Sequence, residues 1–246
     1  MSQTDGAQDP RLKRFVVIAA AVLAAVAGFV NSVFLTSLFH PVSHVTGSLS
    51  QFSMDLHDGV HERGGNLAEM GTLVTILLAF FVGAIAAGTI VGPNRLVTGR
   101  RYGVALLAEA ALLGAAPLAG IELGLIAAMV LAAAACGLQN GVFSNYRGMV
   151  MRTSHMTGTM TDLGVLIGGI RHQHSPLWKY LLLTATLATF VAGGVVGAHM
   201  ATMVGIHALW VPALCCAVLG LSYTSFRHGQ YVGSKSQVSD REPTHV

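Results

Sequence analysis

The sequence predicts an all-α integral membrane protein. Six transmembrane helices are expected in two inverted three-helix repeats, each with a short re-entrant or broken helical segment. Three observations carry this expectation. Only 25 of 246 residues are charged (14 Lys plus Arg, 11 Asp plus Glu), or 10%, against roughly a quarter in an ordinary soluble domain. Six apolar segments are each long enough for a hydrocarbon core of about 30 Å. Finally, the chain repeats itself at intervals of 109 to 111 residues.

Hydrophobic residues make up 53% of the chain, and 29 glycines are added to them. That leaves too little polar surface to clothe a water-soluble globule. Disorder, a collagen-like fibre and a disulfide-stapled secreted domain are excluded by the same composition. The net charge of +3 is small, and no nucleic-acid partner is expected.

The expected spans are 14–38, 68–91, 101–119, 121–144, 177–200 and 206–226. A polar cytoplasmic N-terminus covers 1–13, with Arg11 and Lys13 ahead of the first apolar run. Because further spans follow at once, this run reads as an uncleaved first helix rather than a signal peptide. The first repeat covers 14–120 and the second 121–226, together one membrane domain; 227–246 is expected to be a disordered cytoplasmic tail. Two shorter, more polar stretches, 46–57 and 157–170, reach only part-way across a bilayer at about 1.5 Å per residue. They are either re-entrant half-helices or two extra, poor spans.

Charge separates these alternatives. With six spans and both ends inside, the cytoplasmic segments collect every Lys and Arg except Arg63. If the short stretches also crossed, Arg95, Arg100, Arg101, Arg147 and Arg152 would move outside. The positive-inside rule therefore favours six spans with cytoplasmic termini. The acidic, histidine-rich stretch Asp58–Glu69 then faces outward.

The repeat is legible in three blocks. AGFVNSVF at 27–34 answers CGLQNGVF at 136–143, and SHVTGSLS at 43–50 answers SHMTGTMT at 154–161. FVGAIAAG at 81–88 answers FVAGGVVG at 190–197, at the same 109-residue offset as the first block. Three spans per repeat is an odd number, so the second half sits upside down relative to the first. Such inverted repeats with interrupted elements are typical of channels and secondary transporters, whose solute binds near the midplane at the repeat interface.

The repeated polar residues are the candidate solute site: Asn31, His44, Thr46 and Gly47 in the first half, and Asn140, His155, Thr157 and Gly158 in the second. A half-helix starting at Thr46 or Thr157 would aim unpaired N–H groups and a partial positive charge inward. The asparagines would add donors and acceptors, and the histidines a charge that changes near neutral pH. Equally, the asparagines could serve only to satisfy irregular backbone where the chain breaks. Intramembrane carboxylates are rare and costly. Asp162 joins the solute-binding set, and Glu109 is a candidate proton or ion site. The pairs Gly83/Ala87, Ala84/Gly88 and Gly193/Gly197 read as packing seams.

No catalytic residue, metal cluster, cofactor motif or disulfide framework stands out. Cys136, Cys215 and Cys216 read as small buried hydrophobes, and His172 and His174 as solvated loop residues. A membrane-embedded enzyme or assembly factor using Asp162, His155 and Glu109 is the alternative to transport. The expected partners are the lipid bilayer and an unidentified small solute or ion; a homo-oligomer is an assembly the sequence allows.

On AGFVNS (27–32), VTGS (45–48), CGLQNGV (136–142) and RTSHMTGTMTDLG (152–164), the chain resembles the YoaK-like family of small bacterial membrane proteins. The resemblance runs from about residue 14 to 226. It implies six spans in the bacterial inner membrane and brings no established substrate or reaction.

Overall fold

The computed structural model describes residues 10–60, 67–92, 101–143, 153–171 and 175–239. Every regular element among them is helical: α1 (Pro10–Leu38), α2 (Val45–Val60), α3 (Leu67–Val91), α4 (Arg101–Glu122), α5 (Leu125–Phe143), α6 (Met156–Gly168), α7 (Leu177–Val204) and α8 (Trp210–Ser239). Helix α8 continues into the segment that the sequence assigns to a tail. Outside the described residues lie Arg63, Arg95, Arg100, Arg147, Arg152, His172 and His174.

Among the described residues, five segments are long and apolar enough to cross a membrane: Val17–Leu38, Leu67–Val91, Arg101–Glu122, Leu125–Val142 and Leu177–Ser225. The last is 49 residues long and joins α7 to α8. At about 1.5 Å per residue a straight helix of that length would exceed 70 Å. It is broken at a 3-10 turn, Gly205–Leu209, where Gly205 adopts φ +61°. Glycine alone reaches that conformation without a Cβ penalty.

The helices pack in a paired pattern. α1 lies on α7, α3 on α5, and α4 on both α5 and α8, whereas among the described elements α2 touches only α3, and α6 only α7 and its own 3-10 extension. The principal seams are backbone against backbone. A methyl group at Gly28 would overlap the Phe190 carbonyl, one at Gly193 the Ala25 carbonyl, and one at Gly197 the Phe29 carbonyl. On the other pair, Gly137 meets Phe80, Gly83 meets Ala134, and Gly141 meets Ala84 and Ala87. Small residues let helix backbones approach this closely, and dispersion contacts then hold them in an apolar medium. The predicted seams hold at Gly83, Ala87, Gly193 and Gly197. Gly88 is the exception, because its missing side chain opens onto free space.

These contacts also give directions. One turn from Ala25 to Phe29 on α1 moves the facing residue from Gly193 to Gly197, so α1 and α7 run the same way. Phe80 to Ala84 on α3 likewise moves from Gly137 to Gly141 on α5. On α4, by contrast, Gly103 faces Thr224 while Gly114 faces Trp210 and Ala213, so α4 and α8 are antiparallel. The two parallel seams correspond residue for residue when α1 is shifted by 109 and α3 by 110. The sequence reading of α3 against α7 is therefore one residue out of register. Phe80 and Gly83, rather than Phe81 and Ala84, match Phe190 and Gly193. The double phenylalanine at 80–81 makes both registers plausible in sequence, and only the seam separates them.

Candidate functional site

Each short helix begins at a turn held by an asparagine of the preceding long helix. Asn31 on α1 is buried, and its Oδ1 accepts from the Ser43 backbone N–H at 3.3 Å and the Ser43 hydroxyl at 3.0 Å. In the second half, Asn140 on α5 accepts from the Ser154 N–H at 3.4 Å, and its Nδ2 donates to the Ser154 hydroxyl and to the Cys136 carbonyl. The chain leaves a helix at these points, and its backbone polar groups need partners inside an apolar surrounding. A side-chain amide offers both donor and acceptor in one place. The serines are not among the expected site residues, although they stand in the repeated S-H-x-T-G blocks, where the repetition itself is the signal that marks them.

The histidines that follow do different things. His155 is the N-cap of α6, its Nδ1 accepting from the Gly158 N–H at 3.2 Å. His44 lies against α7, its ring stacked on Phe190 with centroids 6.2 Å apart. Beyond these turns the two short helices remain alike. Ser48 and Thr159, at equivalent positions, are both buried, and each donates its hydroxyl to the histidine carbonyl one turn earlier. Thr46, Gly47 and Thr157 are exposed on the surface of the single chain, and Gly158 is half-buried. Tyr180 on α7 ties down the far end of α6 by donating its hydroxyl to the Leu166 carbonyl at 3.1 Å.

The carboxylates distribute unexpectedly. Asp162 is exposed on α6. Asp55, which is not among the expected site residues, is buried on α2 with its Oδ1 accepting from Gln51 at 3.2 Å and its Oδ2 without a hydrogen-bond partner. Glu109 is buried on α4 and hydrogen-bonded to Cys216 of α8. The three cysteines are free; Cys136 and Cys216 are buried and Cys215 is half-buried.

Within each half the structure brings the asparagine to the turn that starts the short helix. It does not bring the two halves' sets together in one chain, because α2 and α6 make no contact. Glu109 is likewise separate, since α4 touches neither short helix. Among the described residues no group of three His, Cys, Asp or Glu side chains is placed to hold a metal.

Long apolar helices sealed by glycine seams, with two short helices started at asparagine-held turns, define a multi-pass helical membrane protein. The chain belongs to the family described as "Protein of unknown function (DUF1275)", which matches residues 19–222. No curated protein matches it, and no solved structure does.

Proposed function

We propose that the protein is a transporter or channel for a small solute or ion, built from two inverted three-span repeats in a bacterial cytoplasmic membrane. The observation that carries this reading is the pattern of helix directions. If α6 crossed the membrane, α4 and α8 would be separated by three crossings and run the same way; they are antiparallel. With α6 re-entrant, the shared direction of α1 and α7 supports a re-entrant α2 as well. On this reading the chain makes six crossings, three per half, with the halves in opposite orientation. The 3-10 break after Val204 separates the fifth and sixth, and the positive-inside rule favours both termini in the cytoplasm.

Inverted repeats of this kind bind solute at the repeat interface, where irregular backbone lines a cavity. The asparagine-held turns are the irregular backbone of this chain. Each belongs to one half and adjoins a seam made with the other: Asn31 lies two residues beyond Phe29, which meets Gly197. Thr46, Gly47, Thr157, Gly158 and Asp162 are the polar groups of α2 and α6 open to a solute. The exposed Asp162 supports this use, because a carboxylate turned toward hydrocarbon would cost about 2.5–3.5 kcal/mol.

An enzyme using Asp162, His155 and Glu109 has less support. Glu109 sits on a helix that does not touch α6.

The test is flux through reconstituted protein, screened against small ions and metabolites. Wild type is expected to pass at least one solute over empty vesicles, and a folded Asn140→Ala variant is expected to lose that flux. Absence of flux across such a screen, from protein shown to be folded, would count against transport.

A further inference from the structure

We propose that His155 is a pH-operated cap on α6, closed when the imidazole is neutral and released when it is protonated. The cap consists of one bond, from the Gly158 N–H to His155 Nδ1 at 3.2 Å. An imidazole nitrogen accepts only while it carries a lone pair; in the imidazolium both ring nitrogens are donors. Protonation therefore removes the acceptor and sets N–H against N–H. It also places a positive charge at a helix N-terminus, where the macrodipole disfavours it. Both effects have the same sign, so the cap is present at high pH and lost as the imidazole titrates.

Among the described residues, His155 is the one titratable hydrogen-bond partner in this turn. The other bonds are the two between Asn140 and Ser154, Met156 N–H to the Ser154 carbonyl at 3.0 Å, and Thr159 N–H and hydroxyl to the His155 carbonyl at 3.1 and 3.2 Å. None uses the ring. His155 is exposed on the surface of the single chain. On its own helix the acidic group is Asp162, two turns further on. On α7, the helix packed against α6, the titratable groups are Lys179 and Tyr180, at the end where α6 finishes, and His199 toward the other end. On α5, which supplies Asn140 to the same turn, it is Cys136, whose carbonyl the asparagine engages.

The device is specific to one half. His44 occupies the equivalent place but stacks its ring on Phe190, and its half uses only the His44 carbonyl, which accepts from the Ser48 N–H at 3.2 Å. On the transport reading, on which this consequence alone rests, acid frees one N–H and adds one positive charge at the start of α6. At the start of α2 the bonds go to the His44 carbonyl and not to its ring, so loss of a cap would be confined to the second half.

The experiment is amide hydrogen exchange by NMR on the full chain in nanodiscs at pH 5 and pH 8, corrected for intrinsic rates. Imidazole changes charge in this interval. In wild type the Gly158 amide is expected to be about fivefold less protected at pH 5, the factor that loss of a typical cap represents. The Thr159 amide should stay protected at both. His155→Asn supplies an acceptor that does not titrate, so its Gly158 protection should be the same at pH 5 and pH 8. Equal wild-type protection at both pH values, or an equal fall in His155→Asn, overturns the proposal. Histidine 15N shifts provide a second reading that needs no variant. At pH 8 the neutral ring should carry its proton on Nε2, and a proton on Nδ1 would overturn the cap. Neither measurement depends on flux, so failure of the transport reading leaves both decisive.

Discussion

Gln139 on α5 and Leu23 on α1 are joined by a buried hydrogen bond, Nε2 to the carbonyl oxygen at 2.7 Å. It links two long helices from different halves that otherwise barely meet. The Leu23 carbonyl also lies within the α1 ladder, so the glutamine adds a second bond to its free lone pair. Gln139→Leu, which keeps most of the volume, is expected to lower stability by about 0.6 kcal/mol and at most about 1.7, the range for interhelical bonds in membrane proteins. Gln139→Ala adds a cavity and should cost more. Denaturant titration in mixed micelles would read both, and an unchanged midpoint in Gln139→Ala would contradict this bond's role.

The glycine seams make a sharper prediction. Gly28→Ala and Gly193→Ala each push a methyl into a facing carbonyl across the α1–α7 seam, and backbone cannot yield as a flexible side chain can. A loss of about 1–3 kcal/mol is expected for each. Gly71 and Gly88 are the controls, since neither has a neighbour within 4 Å of an added Cβ. Alanine there should be neutral or stabilising by up to about 1 kcal/mol, through helix propensity alone. Equal effects at Gly28 and Gly88 would mean that the seam is not as tight as described.

The asparagine-held turns predict an order of effects. Asn31→Ala removes the acceptor for two Ser43 donors at once and leaves both in a buried place, at a cost of about 1–3 kcal/mol. Ser43→Ala removes only the hydroxyl bond and keeps the backbone one, so it should cost less. Asn31→Asp retains an acceptor and should keep the turn better than alanine does. Thermal unfolding of the three variants would check the order.

Asp162 separates stability from function. It is exposed, and an exposed substitution away from caps and networks stays within about 0.5 kcal/mol. Asp162→Asn is therefore expected to unfold with wild type. Under the proposed function it should also alter flux or its ion dependence. Wild-type flux in this variant would remove Asp162 from the pathway.

The six-crossing arrangement can be checked without any solute. In a background lacking the three native cysteines, Val97→Cys and Val150→Cys should resist a membrane-impermeant maleimide applied to intact cells and react after lysis. Labelling of both from outside would reverse the arrangement.

Where helices start and stop was legible in the sequence. The short segments expected at 46–57 and 157–170 are Val45–Val60 and Met156–Gly168, and the long ones agree to within a few residues at most ends. A helix in an apolar medium satisfies its backbone within its own segment. Its existence therefore depends on local length, apolarity and breakers, all of which a sequence displays. The repeat, too, is local information compared with itself.

Which face of each helix meets another was not legible. Lipid and protein interior are equally apolar, so a span such as α3 or α7 carries no polar stripe to mark its outside. For that reason the tertiary structure alone decided the one-residue register of α3 against α7. It also put Asp55 inside and left Asp162, the carboxylate expected at the solute site, exposed. His44 and His155 stand in nearly identical motifs, yet the first lies on Phe190 and the second caps a helix. The difference comes from what the rest of the fold brings to each turn. The scarcity of charge that announced a membrane protein came from the sequence by itself. The directions of α1 with α7 and of α4 with α8, on which the reading of its architecture rests, came from packing between segments more than a hundred residues apart.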